Sequence, residues 1–318
     1  MMNYEEFMGK VTEEFMSYMP EKYKDMELRV DKVHKTNRIL DGMHIVDDPA
    51  GKHQVSPTIY INDMYDKYMQ CADFEAVMNE CVEAMVAAYG EINKVGPIDL
   101  ESAKDNIVFQ LINTEQNKEL LEMIPNRQYL DLSIIYRLLV KMDEDGMQSA
   151  VITNKLAEHL GFTEEQLMKL AVENTRRIFP PVIKTMDDVI RELLPPGIAS
   201  LMLDEIPEEK LMWIISNERR INGAISMLYE DKLHKLALEL DEDLYIFPSS
   251  THEVIAVRAS MGDPYEYADM VAHINMTEVA LDERLSNQVY RYDKDARRLT
   301  LATNTPNKRL DGAEADSE

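Results

Sequence analysis

The sequence predicts an α+β protein in which helices mix with mainly antiparallel hairpins, arranged as two modules. Three observations carry that expectation. Stretches with apolar residues three and four apart alternate with short apolar runs bounded by turn residues. These stretches lack the regular strand–helix–strand beat of a parallel sheet. The length of 318 residues also exceeds the ~250–300 residues at which single cores stop growing.

The first helix is expected over about residues 3–18, where Phe7, Met8, Val11, Phe15 and Met19 share a face and Pro20 ends it. Three extended segments follow, "MELRVDKVHKTN", "GMHIVDD" and "SPTIYIND". Asp41-Gly42 and the Pro49–Gly51 turn punctuate them, which suggests a small meander. Asp73 can cap the next helix, whose residues Phe74, Val77, Met78, Cys81, Val82, Met85, Val86 and Tyr89 form one stripe, and Gly90 can stop it. Cys81 lies in that stripe and reads as core.

After the Gly96-Pro97 loop, "DNIVFQLIN" reads as a buried strand and "TEQNKELLEMIP" as a short helix. A strand then places Leu130, Leu132, Ile134, Tyr136, Leu138 and Val140 on one side; "DEDG" turns and "MQSAVIT" returns. Two helices follow, the first closed by Gly161, the second opened by a Thr163/Gln166 capping box. The pair has the look of a helix–turn–helix. A recognition helix needs basic and amide groups at its start, whereas this one opens with Glu164 and Glu165, so packing helices are the better reading.

"LLPPG", residues 193–197, is the expected module boundary. It divides an N-terminal module, residues 1–194, from a C-terminal one, residues 198–303, with a disordered acidic tail over 304–318. In the C-terminal module "LMWIIS" and "GAISMLY" flank Asn222-Gly223, and a helix with Leu233, Leu236, Ala237 and Leu240 follows. "DLYIFP" and "EVIAVRA" form a hairpin. Asp263 and Pro264 start a helix with Tyr267, Met270, Val271 and Ile274 inside, and a final hairpin spans "QVYRYDKDARRLTLA".

Composition excludes several functions. The net charge of −25, from 59 acidic and 34 basic residues, repels phosphate backbones and anionic lipid. Direct nucleic-acid binding is therefore not expected. No run of ~18 apolar residues is present, so no membrane span is expected. The start lacks a secretory signal, and two cysteines make no disulfide framework, which fits a cytoplasmic protein. No Walker loop, dinucleotide fingerprint or Gly-x-Ser-x-Gly elbow occurs, so no cofactor is expected. His252-Glu253 is followed by Ala256 where a zincin needs its second histidine, and no metal site is expected. His34, His44 and His53 could converge from neighbouring strands, but isolated histidines are the better reading.

One stretch could do chemistry: "PSSTHE", residues 248–253. Ser249 or Ser250 would be a nucleophile, His252 its base, and Glu253 or a distant carboxylate the group that orients the imidazole. Neighbours 252 and 253 point to opposite faces of a strand, which argues against Glu253. The same residues also read as a five-residue hairpin loop whose hydroxyls satisfy the turn, and this reading is preferred.

"MWIISNERRINGAISMLYEDKL", "DLYIFPSSTHEVIAV" and "LSNQVYRYDKD" together resemble an uncharacterised protein family of anaerobic Gram-positive gut bacteria, and "TNKLAEHLGFTEEQLMKLAVENT" is similar to it as well. The resemblance implies a bacterial, cytoplasmic origin and carries over no functional role. The function expected is binding, to another protein, through a surface of the C-terminal module. The alternative is a hydrolase using Ser249 or Ser250 with His252.

Overall fold

A computed structural model describes residues 1–46, 56–92, 103–143, 146–195, 197–198, 211–305 and 309–312. The chain divides into two compact units, Met1–Ile98 and Asp99–Glu318. All the strand pairings among the described residues are antiparallel.

In the first unit, helix α1 (Tyr4–Tyr18) opens with a capping box between Asn3 and Glu6 and buries Phe7, Val11 and Phe15. Strands β1 (Glu27–Lys35), β2 (Arg38–Val46) and β3 (Ile59–Tyr60) form the expected meander in the order β1-β2-β3. Its punctuation differs from expectation. The β1–β2 turn is Thr36-Asn37, with Asn37 at φ 60°, and Asp41-Gly42 lies inside β2. Gly42 is there for packing: a Cβ would stand 2.4 Å from Val33 Cγ2 and 2.9 Å from Thr58 Cγ2. "SPTIYIND" gives the sheet only two residues, because helix α2 (Ile61–Cys71) starts within it. Ile61, Met64 and Tyr68 repeat at helical spacing and are buried together.

Helix α3 (Phe74–Ile92) is capped by Asp73 as expected, but it runs through Gly90. A glycine costs a helix only about 1 kcal/mol, less than the rest of the stripe returns by burial. Cys81 sits in the core with Met78 and Met85, and burial pushes its thiol up to about 11.

The second unit holds two sheets. Strands β4 (Ile107–Asn113), β5 (Asn126–Tyr129), β6 (Leu132–Asp143) and β7 (Gly146–Val151) form one, with β6 between β4 on one side and β5 and β7 on the other. Helix α4 (Lys118–Met123) lies between β4 and β5 in sequence. Of the single alternating face expected from Leu130 to Val140, Leu132, Ile134, Tyr136 and Leu138 are buried in one core, and Leu130 packs against it. Leu130 is in the β5–β6 turn at φ 57°, and Val140 is exposed at a register shift between Leu139 and Lys141. A bulge of this kind adds one residue and flips the side chains beyond it.

Helix α5 (Asn154–Leu160) ends at Gly161, whose φ of 72° suits glycine, and α6 (Glu164–Ile178) has the capping box. Helix α6 packs on β4. Its buried Thr175 accepts the Phe109 N–H, and Asn174 donates to the carbonyls of Lys104 and Ile107. At its start, Glu164 takes a two-pronged bond from Arg127 and accepts the Tyr136 hydroxyl.

The second sheet has six strands in the order β13-β12-β10-β11-β9-β8. They are β8 (Pro181–Thr185), β9 (Trp213–Asn217), β10 (Leu244–Phe247), β11 (Val254–Arg258), β12 (Tyr290–Asp293) and β13 (Arg298–Leu301). Helix α7 (Met186–Leu193) follows β8, α8 (Glu230–Leu240) precedes β10, and α9 (Pro264–Thr277) follows β11. The boundary expected at 193–197 falls inside this unit, where β8 pairs with β9 across it.

"GAISMLY" is not a strand. Asn222 takes a left-handed φ of 49° and Gly223–Leu228 coils into a 3-10 helix. Met270 and Ile274, expected inside, are exposed, and α9 buries Ala268, Val271 and Asn275 instead. The expected Pro49–Gly51 and Gly96-Pro97 turns, His53, Glu144-Asp145 of "DEDG", Pro196 and tail residues 306–308 and 313–318 lie outside the described residues. Within the tail expected to be disordered over 304–318, Thr305 accepts from Gln288 and Leu310 is buried with its carbonyl bonded to Arg284.

Candidate functional site

Three segments of the second unit meet around "PSSTHE": residues 216–223 after β9, the 248–253 loop between β10 and β11, and residues 283–286. The loop is not an open hairpin tip. Ser286 N–H donates to Pro248 O, Leu285 N–H to Ser249 O and Thr251 N–H to Glu283 O, at 2.8–3.0 Å. On its other side Ala224 N–H donates to Thr251 O at 3.1 Å. Every one of these partners is remote in sequence.

The segment after β9 is wound around one buried amide. Asn217 Oδ1 accepts from the backbone N–H of Arg219 and Ile221, and its Nδ2 donates to Ile221 O. Arg220 and Asn222 both adopt left-handed φ, 55° and 49°. Such residues are uncommon outside glycine, and strained backbone of this kind concentrates at functional sites. The bend brings Gly223 against the loop so closely that a Cβ there would lie 2.1 Å from Ser216 Oγ and 2.4 Å from His252 O.

The hydroxyls and the imidazole are held separately. Ser250 Oγ accepts from His252 N–H at 3.0 Å, a local turn bond. The Ser249 hydroxyl makes no hydrogen bond among the described residues. Ser216 Oγ donates to His252 O at 2.7 Å. The His252 ring accepts the Asn222 N–H on Nδ1 at 3.3 Å, which leaves the ring proton on Nε2, and Nε2 stands 3.4 Å from Glu283 Oε1. Glu253 is half-buried and takes no part, so the carboxylate beside the imidazole is Glu283.

Chemically this is an imidazole–carboxylate pair with both ring nitrogens engaged. A histidine base needs a free nitrogen within about 3 Å of the hydroxyl it deprotonates. Neither serine has one, so the candidate residues are neighbours without forming a dyad. Ser216, Asn222 and Glu283 escaped the sequence reading because they lie tens of residues away. Asn222-Gly223 alone was visible, as a turn.

Arg284 links this junction to α9. Its Nε donates to Val279 O at 2.8 Å and its Nη1 to Leu310 O at 2.7 Å, beside the Met276 sulfur. Asn275 on the inner side of α9 donates to Ser286 O and to Asn287. Away from that side, exposed Met270 and Ile274, at 43% and 38%, lie on one flank of α9, and exposed Tyr265 and Met276, at 55% and 49%, lie on the other. Glu266 and Asp269 stand among them, and α9 contains no Lys or Arg.

In the first unit a cavity of ≈ 230 Å³ is lined by Ile59, Tyr60, Met64 and Cys81, with Asp63 and the Lys67–Glu80 ion pair among its lining residues. Among the described residues no group of three or more His, Cys, Asp or Glu side chains could hold a metal ion, and no helix is long and apolar enough to cross a membrane. Comparison with curated proteins and with solved structures returns no match. The model of DUF5688, a family of unknown function, matches residues 4–294, from the first turn of α1 to the end of β12; the chain belongs to this family.

Proposed function

We propose that the protein acts by binding another protein through the second unit, with α9 as the contact and the adjoining 248–253 loop as a polar tip. The setting is the bacterial cytoplasm that the sequence resemblance implies. The observation that carries this reading is the flank of α9 on which Met270 and Ile274 are exposed. Met270 and Ile274 are one turn apart and form a continuous apolar flank. Methionine adapts its shape to a partner at little cost. The absence of any Lys or Arg from α9, in a chain of net charge −25, supports a partner with an apolar groove and a basic rim.

Photo-crosslinking in the producing cells tests the reading. A benzophenone side chain at position 270 is expected to trap a discrete protein that is lost when Ile274→Asp is added, and that the same probe at exposed Lys155 does not trap. No adduct at 270, or the same adducts from both positions, would refute it.

The His252–Glu283 pair favours a second reading, hydrolysis with Ser249 or Ser250 as nucleophile and His252 as base. It requires the imidazole to leave the Asn222 N–H and turn to a hydroxyl. Alanine at 249, 250 and 252 that left every measurable hydrolysis intact would end it.

A further inference from the structure

We propose that Arg137, Gln110 and Ser149 form a binding site for a small oxyanion, a carboxylate or a phosphate group, on the face of the β4–β7 sheet turned away from the main core. The main core uses Phe109 and Leu111 of β4 and Tyr136 and Leu138 of β6. Alternation along the strands sends Gln110 and Arg137 to the other face. There they lie between two small apolar clusters, Ile112 with Ile135 and Val108 with Leu139.

The site consists of donors. Arg137 Nε donates to Ser149 Oγ at 2.9 Å, Nη2 to Ser149 O at 3.1 Å and Nη1 to Gln110 Oε1 at 3.4 Å. A guanidinium has five N–H groups, so two remain, one on each terminal nitrogen, which is the fork that takes a carboxylate or phosphate two-pronged. Gln110 is 7% exposed, and its amide nitrogen donates to nothing among the described residues. Its oxygen faces the cation, so its N–H groups are the part left over. The Ser149 hydroxyl accepts from Arg137 and keeps its own proton to give. Three side chains thus offer hydrogen-bond donors to the same region with no acceptor for them among the described residues.

Several arginines of this unit pair with a carboxylate, whereas Arg177 is held by the Asp105 carbonyl and the Asn174 amide oxygen. Arg127 pairs with Glu164, Arg176 with Asp231, Arg291 with Asp243, Arg297 with Glu230 and Arg309 with Asp311. Arg137 is half-buried and pairs with no carboxylate among the described residues, although the chain carries 59 acidic groups. A buried charge is normally paired, because leaving it uncompensated is strongly destabilising. Burial also pulls the Arg137 guanidinium below the usual arginine range, with no neighbouring charge opposing the shift. Those costs fall away if the counter-ion is a ligand.

The test is thermal unfolding of the full chain at fixed ionic strength, with sodium phosphate or sodium acetate replacing part of the chloride. The expected result is a saturable rise in melting temperature, about 5 °C at a hundredfold excess over the dissociation constant. A rise with phosphate alone identifies a phosphate ligand, and a rise with acetate a carboxylate. Gln110→Glu supplies the missing carboxylate from within the chain at unchanged size. It is expected to start at a higher melting temperature and to lose the response to either anion. No saturable rise with either salt overturns the proposal. So does an equal rise in Gln110→Glu, which would mark a general salt effect.

Discussion

Adding a methyl group at Gly223 probes how the candidate loop is held. The new Cβ would lie 2.1 Å from Ser216 Oγ, 2.4 Å from His252 O and 2.9 Å from Asn217 N, where ordinary contact begins at 3.4 Å. Two of the three obstacles are backbone atoms, so relief requires the chain at residue 252 to retreat by about 1 Å. Overpacking of this degree costs about 1–3 kcal/mol. The same retreat breaks the Ser216–His252 hydrogen bond of 2.7 Å, worth about 0.5–1.5 kcal/mol. Gly223 has no left-handed φ, so alanine regains about 0.4–1 kcal/mol through the unfolded chain. Gly223→Ala should therefore destabilise the second unit by about 2–3 kcal/mol. Trp213 is the only tryptophan, buried on β9 near Ser216, and its fluorescence through a urea titration reports on that unit. A midpoint within about 0.5 kcal/mol of the parent would refute the close approach and the account of the loop built on it. The matching control is Gly9→Ala at an exposed position of α1, where a Cβ meets nothing within 4 Å. It should stabilise the first unit by about 0.5–1 kcal/mol.

Other consequences can be checked directly. Cys71 is exposed whereas Cys81 is buried with its thiol raised to about 11, so a thiol reagent at pH 8 should titrate one cysteine in the native protein and two in denaturant. The bond from Lys32 holds the Asp41 carboxyl below the usual carboxylate range; burial opposes it, and the Tyr4 hydroxyl assists. A depressed folded pKa stabilises fully above the unfolded value near ~3.9 and is lost as pH falls through the folded one. Asp41→Asn should accordingly flatten the acid-unfolding limb of the first unit, followed by circular dichroism. The fully buried Tyr290 donates to Asp131, which also accepts from Ser286 at 2.6 Å. Tyr290→Phe should cost about 1–3 kcal/mol in urea unfolding of the second unit.

The legible parts of the fold are those whose signal is local. Helices α1 and α3, the β10–β11 hairpin and the caps at Asp73, Thr163 and Asp263 follow from periodicity and capping chemistry within a few residues. The misread parts depend on contacts from elsewhere. Asp41-Gly42 has the composition of a turn, but its glycine serves the close approach of Val33 and Thr58, which no local pattern carries. "GAISMLY" has strand-like composition, yet Asn222 bends the chain and Ser216 with His252 crowd it into a 3-10 helix. The candidate loop was found for its residue types. Its true neighbours, Ser216, Asn222 and Glu283, come together only through the order of the six-stranded sheet.

That placement bears on what the second unit is for. A loop built for nucleophilic catalysis has to leave one imidazole nitrogen facing a hydroxyl, and here the two nitrogens face a backbone N–H and a carboxylate while the Ser250 hydroxyl accepts a backbone N–H. The arrangement instead makes the 248–253 loop stiff and ties it, through residues 283–286 and Arg284, to the end of α9. Helix α9 is held by its inner side: Ala268 and Val271 are buried, and Asn275 is hydrogen-bonded to residues 286 and 287. Met270 and Ile274 take no part in that hold. Exposed methionine and isoleucine gain nothing for folding and are open to a partner, so changing Met270 or Ile274 to a charged residue should leave unfolding within about 0.5 kcal/mol of the parent. A binding defect in a variant that keeps its stability is then a statement about the surface itself.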